Sequence, residues 1–520
     1  MKGLMNQTVD TTSAHRHGWP ILLYATVIVT GAAVMILELL GTRIIGPFYG
    51  VSLYVWSSLI AVTLIALALG YFLGGMFADR YTGVRLTHVI LTAALAMAAI
   101  PFVSGPVMRL TDPLGLRAGA FVSALLLFTL PLTALAMVGP YVIKRATRDL
   151  RDVGTTSGTV YAISTVGSVA GTLLLGFYLL PTFGTRTIIY SLSIFLVSLA
   201  AVVALYEQRR SLSGAISPVI VAIMIFGATD AFGLASVHHQ VPGFIVRFEA
   251  ESLYGWVRVV DDERKGFRLL LSDASVISAV DIKENRSLLG YQEIMSFLPT
   301  ILPQTTRTLL IGLGGGHVAR NLKSKGIVTD TIEIDPAVAD AARRFFHFEP
   351  TGSFLVGDAR YEVTRLPHHY DLIIHDCFTG GAEPTHLLSR EMLLDLHALL
   401  NDRGILTLNY VGFTRGEGAD AVASVHRTLK SVFPNLRVFT TNKEEFTDFV
   451  FLASQEPLQI EEHGEDRRIR WLLDHEHSID DSLGVTITDD YNPMESRQVR
   501  KSEIYRKHFL ERIAFELLLR

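Results

Sequence analysis

The chain has 520 residues, 49% hydrophobic and only 18% charged, which is too long for one ordinary domain and more apolar than a soluble protein carries. Its formal net charge of -4, with no long basic run, excludes the electrostatic footprint of a nucleic-acid binder. The single cysteine, Cys377, excludes an intramolecular disulfide framework and offers no zinc-type spacing, so no metal is expected and a reducing compartment fits.

Residues 1–18 read as a polar tail. Over 19–236, apolar runs long enough to cross about 30 Å of hydrocarbon fall near 20–44, 54–78, 86–107, 118–140, 157–181, 184–205 and 214–236. About seven spans are therefore expected, the first uncleaved because no small-residue cleavage pattern follows it. Gly70 and Gly74, and Gly167 and Gly171, stand at the small-xxx-small spacing that lets helices approach closely in lipid. Lys2, Arg16, Arg80, Arg85, Lys144, Arg145, Arg148, Arg151, Arg209 and Arg210 outnumber Arg43, Arg109, Arg117 and Arg186, which puts the amino terminus in the cytoplasm. Seven spans would export the carboxy-terminal domain, away from adenosine cofactors. The expectation is a multi-pass cell inner membrane protein whose second half is cytoplasmic, with the run carrying Asp230 the least secure span. Glu38 and Asp230 are the acids of this half, and intramembrane ionisable groups default to functional hypotheses. Glu38 either binds an amine or pairs with Arg43.

From Pro242 the character changes. Residues 243–300 carry short β-rich runs and a helix-like segment around GYQEIMSFL, a small β-rich lead-in domain. Residues 301–520 alternate buried strands (TLLIG, TDTIEID, SFLVGD, YDLIIHD, GILTLNY) with amphipathic stretches such as PAVADAARRFF, the pattern of a doubly wound parallel sheet. LRVFTT at 436–441 and DFVFLAS at 448–454 read as an antiparallel hairpin at one sheet edge.

Between the first of these strands and its helix lies IGLGGGHVAR, at 311–320. Gly312, Gly314 and Gly316 suit a tight turn whose amides meet polar ligand atoms, and Glu333 ends the next strand where a ribose acid is expected. Asp335 and Pro336 read as a helix N-cap and first-turn proline. Asp358 in VGDAR either accepts from an adenine amino group or caps a helix, and Asp376 ends the fourth strand. Glycine, Glu333, Asp358 and Asp376 on four consecutive strand ends suggest S-adenosylmethionine or a relative more than a nicotinamide. His375 reads as packing, and Cys377 as a small buried thiol without a partner base.

YQEIM at 291–295, IGLGGGH at 311–317, IEIDP at 332–336, GDA at 357–359 and IIHDCFTGGAEP at 373–384 resemble the successive motifs of the spermidine synthases, the polyamine aminopropyltransferases. ELLGTRIIGPFYG, WSSLIAVTLIALALGYFLGG and TDDYNPME resemble proteins in which a membrane domain is fused to a spermidine synthase-like domain. The resemblance implies an α-helical membrane bundle, a small β domain and a class I methyltransferase-like (Rossmann-type) α/β domain. It implies aminopropyl transfer from decarboxylated S-adenosylmethionine to an amine such as putrescine, with Asp376 as base and amine ligand, because an alkylamine is mostly protonated at neutral pH. Tyr291 and Gln292 would lie near cofactor and amine, Gly312, Gly314, Gly316, Glu333, Asp358 and Ala359 around the cofactor.

Departures from the pattern pull the other way. Gly315 replaces the acid of the glycine-rich turn, Thr379 the second acid of the fourth-strand loop, and Gly255 the glutamine after Tyr254. Loss of the acid at 315 removes repulsion of a carboxylate, and His317 is a candidate donor to one, which favours intact S-adenosylmethionine in a methyltransferase or lyase. Leu310, where methyltransferases commonly carry an acid, argues against methyl transfer. Asp489, Asp490 and Tyr491 lie in a loop-like segment that either closes over the site and replaces the missing acids or is a solvated turn. A non-catalytic transporter or sensor that binds a nucleoside is the rival from another class. Small-molecule amine, lipid bilayer and a homo-oligomer are the partners consistent with the sequence.

Overall fold

The computed structural model describes residues 11–50, 52–81, 83–147, 149–207, 241–378, 381–460, 467–513 and 515–518. They belong to two compact units, one centred on the first half of the chain and one on His238–Leu518.

In the first unit, five stretches are long and apolar enough to cross a membrane by length and composition: Pro20–Tyr49, Leu53–Arg80, Leu86–Ala146, Leu150–Thr182 and Thr185–Glu207. Leu86–Ala146 is itself two helices, Leu86–Thr111 and Gly115–Ala146, joined by the 3-10 turn Asp112–Leu114. Six of the seven expected runs therefore coincide with separate helices, and the seventh, with Asp230, lies outside the described residues. The glycine pairs set the close approaches. A Cβ on Gly70 would stand 2.4 Å from the Ala136 Cβ, and one on Gly167 2.2 Å from the Ile28 carbonyl oxygen, so neither position accepts a larger residue without parting two helices. Buried Glu207, at the end of its helix, accepts from the Leu86 and Thr87 amides at 3.2 Å and pairs with Arg145 at 3.0 Å. One carboxylate thus satisfies a helix N-terminus and ties three helices together. Glu38 accepts a hydrogen bond from Thr63 on the adjacent helix.

The second unit begins with an antiparallel four-stranded sheet in the order β1–β2–β3–β4: β1 (Phe244–Glu251), β2 (Trp256–Asp262), β3 (Phe267–Ser272) and β4 (Ser275–Asp281). The helix Gly290–Ile301 follows. Then come β5 (Arg307–Ile311), β6 (Val328–Glu333), β7 (Phe354–Val356), β8 (Tyr370–His375), β9 (Leu400–Phe413), β10 (Asn435–Thr440) and β11 (Phe446–Ser454). Their order is β10–β11–β9–β8–β5–β6–β7, parallel from β9 to β7. The last two strands form the expected hairpin, with β11 antiparallel to β9. Central strands β5 and β8 are apolar because helices cover both faces, so their ends, not their faces, are left for chemistry. At the opposite, amino-terminal end, buried Asp330 accepts from the Tyr370 hydroxyl at 2.9 Å and pairs with Arg307 at 3.0 Å, joining β5, β6 and β8.

Candidate active site

At the carboxyl edge of the parallel strands the chain reverses through the glycine-rich turn into the helix His317–Ser324. Gly312 has φ +89°, and a Cβ there would lie 2.0 Å from the Asp376 carbonyl oxygen. Only glycine permits the turn and the fourth strand end to meet this closely. Glu333 then braces the turn, its carboxylate accepting from the Leu313 amide at 2.9 Å and the Asp335 amide at 3.0 Å. Burial pushes its pKa up against these bonds. Asp335 is the N-cap of Pro336–Phe345, accepting from the Ala337 amide at 2.8 Å with proline in the first turn, and Asp358 caps Ala359–Glu362 through the Arg360 amide at 2.8 Å. Asp358 therefore does what its capping alternative required, and it also faces the cavity.

A cavity of about 670 Å³ opens over this edge. Its walls include Tyr291, Gly312, Gly314, Glu333, Asp358, Ala359 and Asp376, so seven of the nine residues expected around cofactor and amine converge on one space, Gln292 and Gly316 being the exceptions. The volume is that of an ordinary small-molecule site. Asp376 is held there by Asn409, whose Nδ2 donates at 3.2 Å, and by a hydrogen bond from the Tyr291 hydroxyl. Burial pushes its pKa up to about 7, against the pull of these two donors, and the nearby charges of Asp448 and Glu383 add to the rise. Gln292 does not line the cavity; its side chain accepts from Ser287 at 2.8 Å and donates to the Tyr291 hydroxyl at 3.2 Å, so it orients the tyrosine. Gly316 serves as the helix N-cap with φ +74°.

Two expectations fail, that for His317 and that for the loop of Asp489, Asp490 and Tyr491. His317 is buried away from the cavity, with its Nδ1 2.6 Å from the Arg320 guanidinium, and burial lowers its pKa to about 4. It lines a separate groove with Arg320 and Lys325 and cannot serve a carboxylate in the cavity. Asp489 pairs with Arg360 at 2.7 Å, while Asp490 and Tyr491 are exposed, and none of the three lines the cavity. The loop is drawn outward because Arg360 and Glu391 engage Asp489 on the side chain and on the amide. Thr379 lies outside the described residues.

The second cavity acid is instead Asp448, near the start of β11, whose carboxylate accepts from the Thr441 hydroxyl at 3.1 Å. Burial lifts its pKa to about 6. Tyr505 and Arg512, both on the carboxy-terminal helix Val499–Arg512, complete the wall. That helix is anchored beside the cavity by a buried ion pair between Lys501 and Glu383, with the Lys501 ammonium 4.0 Å over the Tyr410 ring. Sequence reasoning missed all of these. The available signal for Asp448 was a lone acid interrupting the apolar run FTDFVFLAS. Among the described residues no cluster of metal-ligating side chains occurs.

No protein-family model matches the chain. It is 33% identical over 219 residues to an N-terminal histidine N-methyltransferase of Emericella nidulans, covering 38% of this chain and 39% of that protein. It is 33% identical over 166 residues to a polyamine aminopropyltransferase of Vibrio vulnificus, covering 30% of this chain and 55% of that protein. A probable polyamine aminopropyl transferase of Bifidobacterium longum matches at 24% over 319 residues, 53% of this chain and 67% of that protein. The chain thus spans about half or less of the first two relatives. The parallel sheet with its antiparallel last pair, and the acid-lined cavity at its carboxyl edge, define a class I methyltransferase-like α/β domain. Within that class the chain is similar to polyamine aminopropyltransferases and to an N-terminal histidine N-methyltransferase, all of them transferases.

Proposed function

We propose that the cavity alkylates an amine nitrogen with an adenosyl sulfonium cosubstrate, in its aminopropyl form moving the aminopropyl group of decarboxylated S-adenosylmethionine to a diamine such as putrescine. The observation that carries this reading is Asp376, facing the cavity beside Tyr291 and Asp448 with a pKa near neutrality. A carboxyl group poised at about 7 holds an ammonium when ionised and takes its proton as the nitrogen lone pair attacks the carbon beside sulfur. The carbon–sulfur bond breaks, its electrons return to sulfur, and methylthioadenosine leaves. Glu333 and Asp358 would face ribose and adenine from neighbouring strand ends.

Methyl transfer from intact S-adenosylmethionine to a nitrogen is the second reading. It is favoured by the 219-residue match to a histidine N-methyltransferase and by Gly315 in the turn. In either case the chain acts from a lipid bilayer, the cell inner membrane, with the cavity on the cytoplasmic side; the long apolar helices between Pro20 and Glu207 support the membrane part of this reading, and the need for an adenosine cofactor supports the side.

The test incubates the full-length protein in detergent with each donor, with and without putrescine. Methylthioadenosine formed only from the decarboxylated donor plus amine supports aminopropyl transfer, and S-adenosylhomocysteine from the intact donor supports methyl transfer. Ligand binding without any turnover would leave the nucleoside sensor and remove both enzyme readings.

A further inference from the structure

Arg512 supplies the cavity's one guanidinium among the described residues that line it. The other ionisable walls are acids, with the exception of His386, Cys377 and the tyrosines, and no ion-pair partner of Arg512 occurs among the described residues. Lys501, Tyr505 and Arg512 stand at i, i+4 and i+11, which places them on one stripe of the same helix. The stripe begins in the buried Lys501–Glu383 pair and passes Tyr505 at the cavity wall. It reaches the exposed Arg512 about 16 Å along the axis from Lys501, about 10 Å beyond Tyr505. The stripe is therefore fixed at one end by an ion pair and presents an uncommitted cation at the other.

The same helix packs against β4, whose Val276 and Ile277 line the cavity next to the glycine-rich turn. The Ile277 carbonyl oxygen lies 3.1 Å from where a Gly314 Cβ would stand. At position 315 the turn offers no carboxylate, and no room for one in its present packing. The Gly315 amide donates to the Ser278 hydroxyl at 3.0 Å, and a Cβ at 315 would fall 2.8 Å from that oxygen and 3.1 Å from the Phe346 ring. The turn thus brings no ammonium-binding acid to a cavity whose wall also carries a cation.

We propose that Arg512 is a specificity-determining residue that binds a carboxylate carried by a reacting ligand, so that the cavity selects an amino-acid moiety over its decarboxylated counterpart. A planar guanidinium with parallel donors is suited to grip a carboxylate in bidentate fashion. With no acid at 315 to repel that carboxylate, the sulfonium donor is favoured as its source over the acceptor amine. This inference rests on the reading of the cavity as an adenosyl sulfonium site and, within that reading, favours transfer from intact S-adenosylmethionine over aminopropyl transfer from the decarboxylated donor.

The experiment uses two ligand pairs that differ by one carboxylate: S-adenosylmethionine against its decarboxylated form, and ornithine against putrescine with methylthioadenosine present. Binding to the full chain in detergent is measured by calorimetry for the wild type, Arg512→Gln and Arg512→Lys, with melting temperatures as a check on folding. The wild type is expected to prefer the carboxylated member of at least one pair by tenfold or more, Arg512→Gln to lose that preference, and Arg512→Lys to keep part of it. Preference within the first pair assigns the carboxylate to the donor, within the second to the acceptor. Equal affinities within both pairs, a preference that survives in Arg512→Gln, or no binding of any of the four overturns the proposal. Turnover is read separately: product without a carboxylate preference removes the role of Arg512 and leaves amine alkylation standing, whereas preference without product does the reverse.

Discussion

Asp376 concentrates the chemistry of the molecule in one carboxyl group. With its pKa raised to about 7 by burial, it is protonated below neutrality and ionised above it. A base must be ionised to accept a proton, so kcat/KM is expected to rise with pH through an acid limb near 7. Asp376→Asn should lower kcat/KM by roughly 10²- to 10⁴-fold, the range of general-base contributions, while binding of methylthioadenosine persists. Asp448 adds negative charge that holds the Asp376 proton on. Removing that charge with Asp448→Asn should therefore move the acid limb to lower pH, a displacement that pH–rate profiles of the two proteins measure directly. That Gly312, Glu333, Asp358 and Asp376 share one edge was legible in the sequence because each stands at or just past the end of its own apolar strand, and the strand pattern itself announces which residues face the cavity. His317 misled because it lies two residues beyond Gly315 on the helix, and the turn directs its ring into a different groove.

At the scale of elements, the half of the site that escaped sequence reasoning comes from β11 and the carboxy-terminal helix. Neither follows the glycine-rich turn at a fixed spacing, so no local pattern ties Asp448, Tyr505 or Arg512 to Asp376; only the sheet order does. The acidic run at 489–490 drew attention by composition, yet its loop is engaged by Arg360 and Glu391 outside the cavity. What secures the helix is legible only in three dimensions. Lys501 and Glu383 are both buried, 118 residues apart, and Glu383 also accepts from the Val411 amide at 2.8 Å. Lys501→Met strands a carboxylate without its cation and should destabilise the protein by about 3–5 kcal/mol, seen as a lowered melting temperature in detergent. Lys501→Met combined with Glu383→Gln should recover part of that loss, since a neutral amide still accepts from Val411. A double variant no more stable than the single one would argue against the pair as the anchor.

For the whole molecule, the two halves make separate demands. The apolar helices of the first unit lead to the expectation that the chain stays with membranes through alkaline carbonate and is released by detergent. A protease-sensitive carboxy-terminal tag should be cut in inverted vesicles and protected in right-side-out ones; the opposite pattern would place the cavity outside the cell and sever it from the adenosine pool. The bundle was legible because glycine spacing and run length survive without tertiary information, whereas the side of the membrane depends on the count of spans. One further property follows from Cys377. It is the only thiol in 520 residues, and it sits in the cavity wall. Burial, reinforced by the charges of Glu333 and Asp376, raises its pKa well above the ordinary value, so the thiolate that would attack the carbon beside an alkylating sulfonium is scarce. Thiol labelling of the intact protein is then a gauge of a single place. Modification by a maleimide should be slow, should slow further when methylthioadenosine is bound, and should report occupancy of the cavity with no engineered label anywhere in the chain.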